Sequence, residues 1–216
     1  MKKRVADIVM EVLCENGVKD CFAVVGGGAM HLDNALALYD GITKYFNHHE
    51  QACAMAAEAY ARISGNIAAV CVTSGPGGTN TLTGVMGAWQ DSLPMIVISG
   101  QVRYETTIES AGLPLRYRGV QEFDIINSIQ NMTKYSVMIK DPLAIKKEIK
   151  KAIHIAMNGR RGPVWIDIPL NIQSAIVDEE KLYEVEENIT PQITAKREEV
   201  EELVHILRKA KRPCII

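Results

Sequence analysis

This sequence predicts an α/β domain built on a doubly wound, six-stranded parallel sheet with helices on both faces. Two observations carry that expectation. Short runs such as Cys21-Phe22-Ala23-Val24-Val25 and Met95-Ile96-Val97-Ile98, within Pro94 to Ser99, are continuously apolar, as strands covered on both faces must be, and stretches of helical periodicity separate them. Glycine clusters, Gly26-Gly27-Gly28 and Gly75-Pro76-Gly77-Gly78, close a strand and open the next helix.

Each element has its own signal. Val5, Ile8, Val9, Val12 and Leu13 recur at i, i+3, i+4, i+7 and i+8, a helix stripe that stops at Asn16-Gly17. The strand from Cys21 to Val25 is followed by a helix from about Met30 to Tyr39 and a strand from Lys44 to Phe46. A helix from Glu50 to Ile63, a strand from Ile67 to Thr73, a helix from the second glycine cluster to about Gln90 and a strand from Pro94 to Ser99 repeat the pattern. Between Val102 and Gln121 the periodicity lapses; Gly112, Pro114 and Gly119 punctuate a polar stretch carrying Arg103, Arg116 and Arg118, which reads as a surface excursion. A helix near Phe123 to Ile129, a strand from Tyr135 to Ile139, a helix from Pro142 to Met157 and a strand from Val164 to Ile168 complete six strands. The charged, proline-punctuated tract from about Asn171 to Thr194 reads as linker and Glu198 to Ala210 as a further helix. Arg212-Pro213-Cys214-Ile215-Ile216 then reads as the start of a fresh buried strand, so the chain is expected to be a piece of a longer polypeptide.

Composition narrows the class. The 216 residues are 47% apolar, enough for a substantial core, and the net charge of −2 with mixed signs advertises no nucleic-acid face. Asp7 and Glu11 interrupt the apolar residues after Met1-Lys2-Lys3-Arg4, so no signal peptide is read there, and no apolar run approaches the ~20 residues that span a bilayer. The five cysteines lack C-x-x-C spacing and lie mostly in apolar segments, as reduced thiols of a cytoplasmic protein would.

Several motifs fail on inspection. Gly26-Gly27-Gly28 would need a glycine where His31 stands to be a dinucleotide fingerprint, and neither cluster continues into the G-K-[ST] of a P-loop. His48 and His49 lack further metal ligands at suitable spacing, and Thr73-Ser74-Gly75 lacks the G-x-S-x-G elbow of a hydrolase. No metal site is expected in this chain. Glu50 is harder to dismiss. An acid at a helix start is ordinary, because the helix dipole favours it. Here, however, the helix behind it is rich in alanine from Ala52 to Ala61 and packs closely, which sets the acid at the mouth of a pocket. Gly75-Pro76-Gly77-Gly78 before Thr79-Asn80 lets backbone approach a flat ligand.

Gly26-Gly27, His49-Glu50-Gln51, Ala59-Tyr60-Ala61-Arg62, Thr73-Ser74-Gly75-Pro76-Gly77, Thr79-Asn80, Asp91-Ser92-Leu93-Pro94, Gly100-Gln101, Gln121-Glu122 and Gly159-Arg160-Arg161-Gly162-Pro163-Val164 fall in the order found in acetolactate synthases. The chain thus resembles the catalytic subunits of that thiamine-diphosphate-dependent family over nearly its whole length. The resemblance implies a thiamine-diphosphate-binding fold, with residues 1–175 as the pyrimidine-binding domain, 176–195 as linker and 196–216 as the start of a central domain. It implies that Glu50 hydrogen-bonds the aminopyrimidine of the cofactor and relays a proton, so that a 2-oxo acid is decarboxylated and its acyl unit transferred to a second one, as in branched-chain amino acid biosynthesis. Gly26 and Gly27 would floor the ring, Thr73, Gly75, Pro76 and Asn80 would line its pocket, and Gln121 would face the reacting centre. Arg160 matches an arginine that touches FAD in acetolactate synthases. Mg²⁺ would be held by a C-terminal domain absent from this chain, and a homodimer or homotetramer is implied, with a regulatory subunit left open.

Two departures bear on the acceptor. Val24-Val25 stand where the family usually has Tyr-Pro, and Tyr104 to Gly119 is longer than its counterpart. A related decarboxylase or carboligase acting on an aldehyde or a nucleotide-linked sugar is the alternative reading.

Overall fold

The computed structural model describes residues 1–184 and 194–214. The chain divides into two compact units, Met1–Val185 and Glu186–Ile216. In the first, the elements in chain order are β1 (Lys2–Arg4), α1 (Val5–Glu15), β2 (Asp20–Ala23), α2 (Met30–Leu38), β3 (Thr43–Phe46), α3 (Glu50–Ser64), β4 (Ala68–Val72), α4 (Pro76–Asn80), α5 (Leu82–Gln90), β5 (Met95–Gln101), α6 (Ile108–Ala111), α7 (Ile125–Ser128), β6 (Tyr135–Met138), α8 (Ile145–Met157), β7 (Pro163–Pro169), α9 (Leu170–Gln173) and β8 (Ile176–Asp178). The second unit holds α10 (Arg197–Lys209), with Glu198 and Glu199 in its first turn and Arg208 and Lys209 in its last, matching the helix dipole at both ends.

Six strands form one parallel sheet in the order β3-β2-β4-β5-β7-β6. The doubly wound expectation holds. Because side chains alternate across a strand, each central strand feeds two cores. Ala69, Cys71, Ile96, Ile98, Val164 and Ile166 meet the apolar stripes of α1, α2 and α8 on one face. Ala68, Val70, Val72, Met95, Val97 and Trp165 meet α3, α5 and α7 on the other. Helix α3 lies close to α5 because small residues face each other: a Cβ on Gly84 would come within 2.6 Å of the Ala54 Cβ. No helix among the described residues is long and apolar enough to cross a membrane.

Two expectations are corrected and a third is filled in. The helix after the second glycine cluster is broken at Thr81, whose hydroxyl donates to the Gly78 carbonyl at 2.7 Å and competes with continued α-helical bonding. The first part of the tract read as linker, between Asn171 and Thr194, is structured: it contains most of α9 and all of β8. Strand β8 pairs antiparallel with the unpredicted β1, Lys3 opposite Val177. Three-residue strands have no periodicity to read, and backbone pairing between the two ends of the unit makes them. The excursion from Val102 to Gln121 is also partly ordered, by a 3₁₀ turn and α6, whose cap is the Thr107 hydroxyl accepting from the Ser110 N–H at 3.2 Å. The rest of the expected linker, residues 185–193, and the apolar pair Ile215-Ile216 of the expected final strand lie outside the described residues.

Near the C-terminal ends of β5 and β7 a polar cluster is buried in the second core. The Ser99 hydroxyl donates to Asp167 Oδ1 at 2.5 Å and accepts from the Trp165 indole N–H at 2.7 Å. Gln101 Nε2 donates to Asp167 Oδ2 and to the Phe123 carbonyl, each at 3.1 Å. Burial pushes the Asp167 carboxyl up to about 7, partly opposed by the Ser99 and Gln101 hydrogen bonds. A carboxyl whose folded pKa is raised stabilises the fold below its unfolded value, and that contribution is lost as pH rises through the folded value. Conformational stability should therefore fall as pH rises from about 4 to about 7, and Asp167→Asn should reduce this slope, leaving the part due to Asp33, whose carboxyl burial raises to about 6. Denaturant midpoints measured across that range check it; an unchanged slope in Asp167→Asn would assign the dependence to other groups.

Candidate active site

In a doubly wound sheet the natural binding crevice lies at the C-terminal strand ends where the winding reverses. Here β2 connects outward to β3 and the chain then returns past β2 to β4, so the reversal falls between β2 and β4. The two glycine clusters follow those two strands, and Glu50 follows β3 on the same edge.

Glu50 is the first residue of α3, and the preceding His49 caps that helix, its Nδ1 accepting from the Gln51 N–H at 3.2 Å. Half-buried, Glu50 accepts at Oε2 from Asn80 Nδ2 at 2.9 Å. Among the described residues its Oε1 has no hydrogen-bond partner; a Cβ built on Gly77 would lie 3.6 Å from it, so the carboxylate stands over bare glycine backbone. Helix α4 is one turn long, and this places Asn80 at its end opposite Glu50, with the exposed Pro76 at its start.

Thr73 joins the two glycine loops. Its Oγ1 accepts from the Gly28 N–H at 2.9 Å, while its side chain occupies the space that a Cβ would need on Gly26 (2.5 Å) or Gly77 (2.7 Å). Gly27 is exposed and opens a 3₁₀ turn closed by the Ala29 N–H donating to the Gly26 carbonyl at 2.9 Å. Gly75 has φ +58°, and a Cβ there would meet the Gln121 carbonyl oxygen at 2.2 Å. Gln121 has φ +58° as well, an uncommon conformation for a residue with a side chain, and is exposed beside this turn. Glu50 and Gln121 therefore meet the same three-residue turn, Gly75 to Gly77, from two sides.

Of the residues expected at the site, Gly26, Gly27, Glu50, Thr73, Gly75, Pro76, Asn80 and Gln121 come together on one edge of the sheet. Arg160 does not. It precedes β7 and lies at the opposite, N-terminal edge, with its Nε donating to Ser92 Oγ at 2.8 Å. There it lines a cavity of about 280 Å³ with Trp89, Gln90, Lys134 and Arg161. A seven-residue strand at ~3.3 Å per residue separates it from the Glu50 edge.

Three residues that sequence reasoning left out hold the first glycine loop. Asp33 Oδ2 accepts from the Gly26 N–H at 2.9 Å, and burial raises its carboxyl to about 6, partly opposed by that bond. Gln173, fully buried, donates through Nε2 to the Gly28 carbonyl at 2.7 Å. Gly100 makes room for that carbonyl, since a Cβ on it would come within 2.1 Å. An acid among the apolar residues of α2 was a signal available in the sequence; Gln173, 145 positions from its partner, offered none.

The pocket's chemistry suits a flat, nitrogen-bearing heterocycle. Glycine backbone provides a floor, and one carboxylate oxygen carries no partner. Among the described residues no group of three or more His, Cys, Asp or Glu side chains could hold a metal ion.

Known proteins resemble this sequence over most of its length. Residues 3–128 match the family model of the thiamine pyrophosphate enzyme N-terminal TPP binding domain. The chain is 35% identical over 215 residues to the acetolactate synthase large subunit of Buchnera aphidicola from Acyrthosiphon pisum, covering 97% of this chain and 36% of that one. It is 37% identical over 167 residues to the Escherichia coli acetolactate synthase isozyme 3 large subunit, 77% of this chain and 28% of that one. With the chloroplastic acetolactate synthase 1 of Oryza sativa the figures are 39% over 171 residues, 78% and 25%. The chain thus spans 36% of the length of the first of these relatives and less of the other two.

Gly75→Ala would place a methyl group against the Gln121 carbonyl in a left-handed backbone. It should destabilise the protein by about 1–3 kcal/mol. Thermal unfolding measures this, with Gly27→Ala, whose Cβ meets nothing within 4 Å, as the mild control.

Proposed function

Since the chain belongs to the thiamine pyrophosphate enzyme family and carries its N-terminal cofactor-binding domain, we propose that it is the pyrimidine-binding part of an acetolactate-synthase-like enzyme. The observation that carries the reading is Glu50: a carboxylate at a switch-point crevice, oriented by Asn80 through one oxygen and presenting the other above Gly77.

When bound, thiamine diphosphate supplies a thiazolium carbon that can take up a 2-oxo acid, release carbon dioxide and pass the acyl unit on. The protein's own groups do the rest. Asn80 orients Glu50 by donating to Oε2, which would leave Oε1 to hold or release a proton toward a nitrogen of the aminopyrimidine. Gly26, Gly27 and Gly77 would offer bare backbone to the flat ring, Thr73 ties the two glycine loops together, and Asp33 holds the first of them. On this reading Gln121, exposed beside the Gly75 turn, would meet a carboxylate or carbonyl of the substrate. The substrates are then pyruvate and a second 2-oxo acid, as for the acetolactate synthases that the chain is similar to.

Mg²⁺ and the diphosphate would be held outside this chain, by the part of the polypeptide that its relatives have in addition. FAD, if the full enzyme carries it, would meet Arg160 on the far edge of the sheet rather than beside Glu50. Val25, Met30, Phe46 and Met55 are exposed on or next in sequence to the segments that carry Gly26, Gly27 and Glu50, which supports a face covered by a second subunit in a homodimer or homotetramer. The cysteines are all free thiols, as a reducing cytoplasm would keep them.

Glu50→Gln preserves shape and removes the proton exchange. In the full-length gene product, given pyruvate, thiamine diphosphate and Mg²⁺, turnover should fall at least ~100-fold. Carbon dioxide release and acetolactate formation are the paired readouts: equal yields support the synthase reading, carbon dioxide without acetolactate moves the acceptor elsewhere, and near-normal activity of Glu50→Gln would remove Glu50 from the mechanism.

A further inference from the structure

Glu122 binds three backbone donors from two separate places. Its Oε1 accepts from the Ile108 N–H at 2.5 Å, and its Oε2 accepts from the N–H groups of Arg118 and Gly119 at 2.8 and 3.0 Å. Ile108 begins α6, where helix geometry leaves the N–H without an internal partner, while Arg118 and Gly119 close the long loop after it. Around this carboxylate the loop is tied further. Arg118 Nη1 donates to the Glu105 carbonyl at 2.9 Å, the Glu122 N–H donates to the Gly119 carbonyl at 3.2 Å, and Gly119 lies so close to Val102 that a Cβ would meet its side chain at 2.7 Å. The residue just before Glu122 is Gln121, in the left-handed region with its carbonyl against Gly75.

We infer that Glu122 is a positioning residue for the reaction: by binding both arms of the Thr107–Gly119 loop it holds Gln121 in its left-handed conformation against the Gly75 turn, and so fixes where Gln121 meets the 2-oxo acid. Three charge-assisted bonds to one carboxylate, on the residue adjoining a strained one, are the arrangement that holds a backbone in a sparsely populated region. Among the described residues Gln121 itself makes no such bonds, and its carbonyl abuts Gly75. Arg118 takes part in the same tie through Nη1, while its guanidinium stays exposed. On this inference the loop acts on specificity through Gln121. This inference rests on the reading that the crevice binds thiamine diphosphate and a 2-oxo acid.

Glu122→Gln replaces an acceptor oxygen by an NH₂ group that must face a backbone N–H, and the experiment is a double-mutant cycle in the full-length protein with thiamine diphosphate and Mg²⁺. Glu122→Gln should lower kcat/KM for pyruvate by about tenfold to a hundredfold. Affinity for thiamine diphosphate, read by calorimetry, should change by less than about threefold, and trypsin should cut faster at Arg116 and Arg118. Gln121→Ala alone should show a similar loss, and adding Glu122→Gln to it should cost little more, because both remove one function. Ile108→Pro deletes one of the three donors at the first helical position, after an extended Thr107 (φ −81°, ψ 157°) that tolerates a following proline; it gives the same cycle should Glu122→Gln not fold. Losses that simply multiply, or an unchanged kcat/KM in Glu122→Gln, overturn the positioning role. Full activity in Glu50→Gln would instead overturn the underlying reading, and the two failures are distinguishable because the Glu50 variant is measured beside the cycle.

Discussion

Thr73 stands where two backbone loops touch, and the crevice depends on that contact. A threonine at the end of β4 has two short branches: the hydroxyl satisfies the Gly28 N–H, while the side chain as a whole fills space that only glycine at 26 and 77 leaves open. Without the glycines the loops would stand apart. Without the threonine their backbone groups would lose a partner and their spacing. The parallel sheet brings β2 and β4 side by side with Ala23 opposite Cys71, so the loops that follow them start in register, and Thr73 converts that register into a pocket floor. Glu50 needs this floor, because its orientation is fixed by Asn80 at the end of the same short helix that the second loop opens.

A second constraint comes from inside the sheet. Asp167 is fully buried at a place where an isolated carboxylate would be expensive, and the Ser99 hydroxyl and Gln101 amide offset part of that cost. Gln101 also donates to the Phe123 carbonyl, two positions from Gln121. The core network therefore reaches up to the segment that carries Gln121, as Glu122 reaches across the loop above it. Asn171 adds a third tie, its Oδ1 accepting from the Tyr104 N–H at 3.0 Å. The long excursion after β5 is held at its start by Asn171, across its middle by Glu122 and at its end by Gln101. None of these ties is an apolar contact, which is why the segment shows no hydrophobic period.

Legibility followed from how each feature is encoded. Strands β4, β5 and β7 are buried on both faces and so are apolar at every position but Ser99, Gly100, Gln101 and Asp167; they announce themselves and so does their parallel pairing. Helices α1 and α8 carry one apolar stripe each, against the same core, and their limits were readable to within a few residues. The break at Thr81 was not, because a hydroxyl that turns back to a carbonyl three residues earlier leaves the hydrophobic pattern intact. Strands β1 and β8 were invisible for a different reason, since each is three residues long and exists only because the other is there. At the site, Glu50 and the glycines were readable as residue types that a pocket needs, and the family resemblance added Asn80 and Gln121. Asp33, Gln173 and Glu122 act through hydrogen bonds to backbone groups between 3 and 145 positions away, and backbone groups have no sequence signature.

The sequence by itself determined the alternation of buried strands and striped helices, the glycine turns that close two of those strands, and the carboxylate that enters the third helix. These are properties of residue type and order, because burial on two faces, positive φ and helix capping each select side chains locally. Tertiary structure alone decided which of the candidate residues share a site. It gathered Glu50, Asn80, Thr73 and Gln121 around the Gly75–Gly77 turn and sent Arg160 to the opposite edge, because in a parallel sheet residues after strands and residues before them are separated by the full length of the strand.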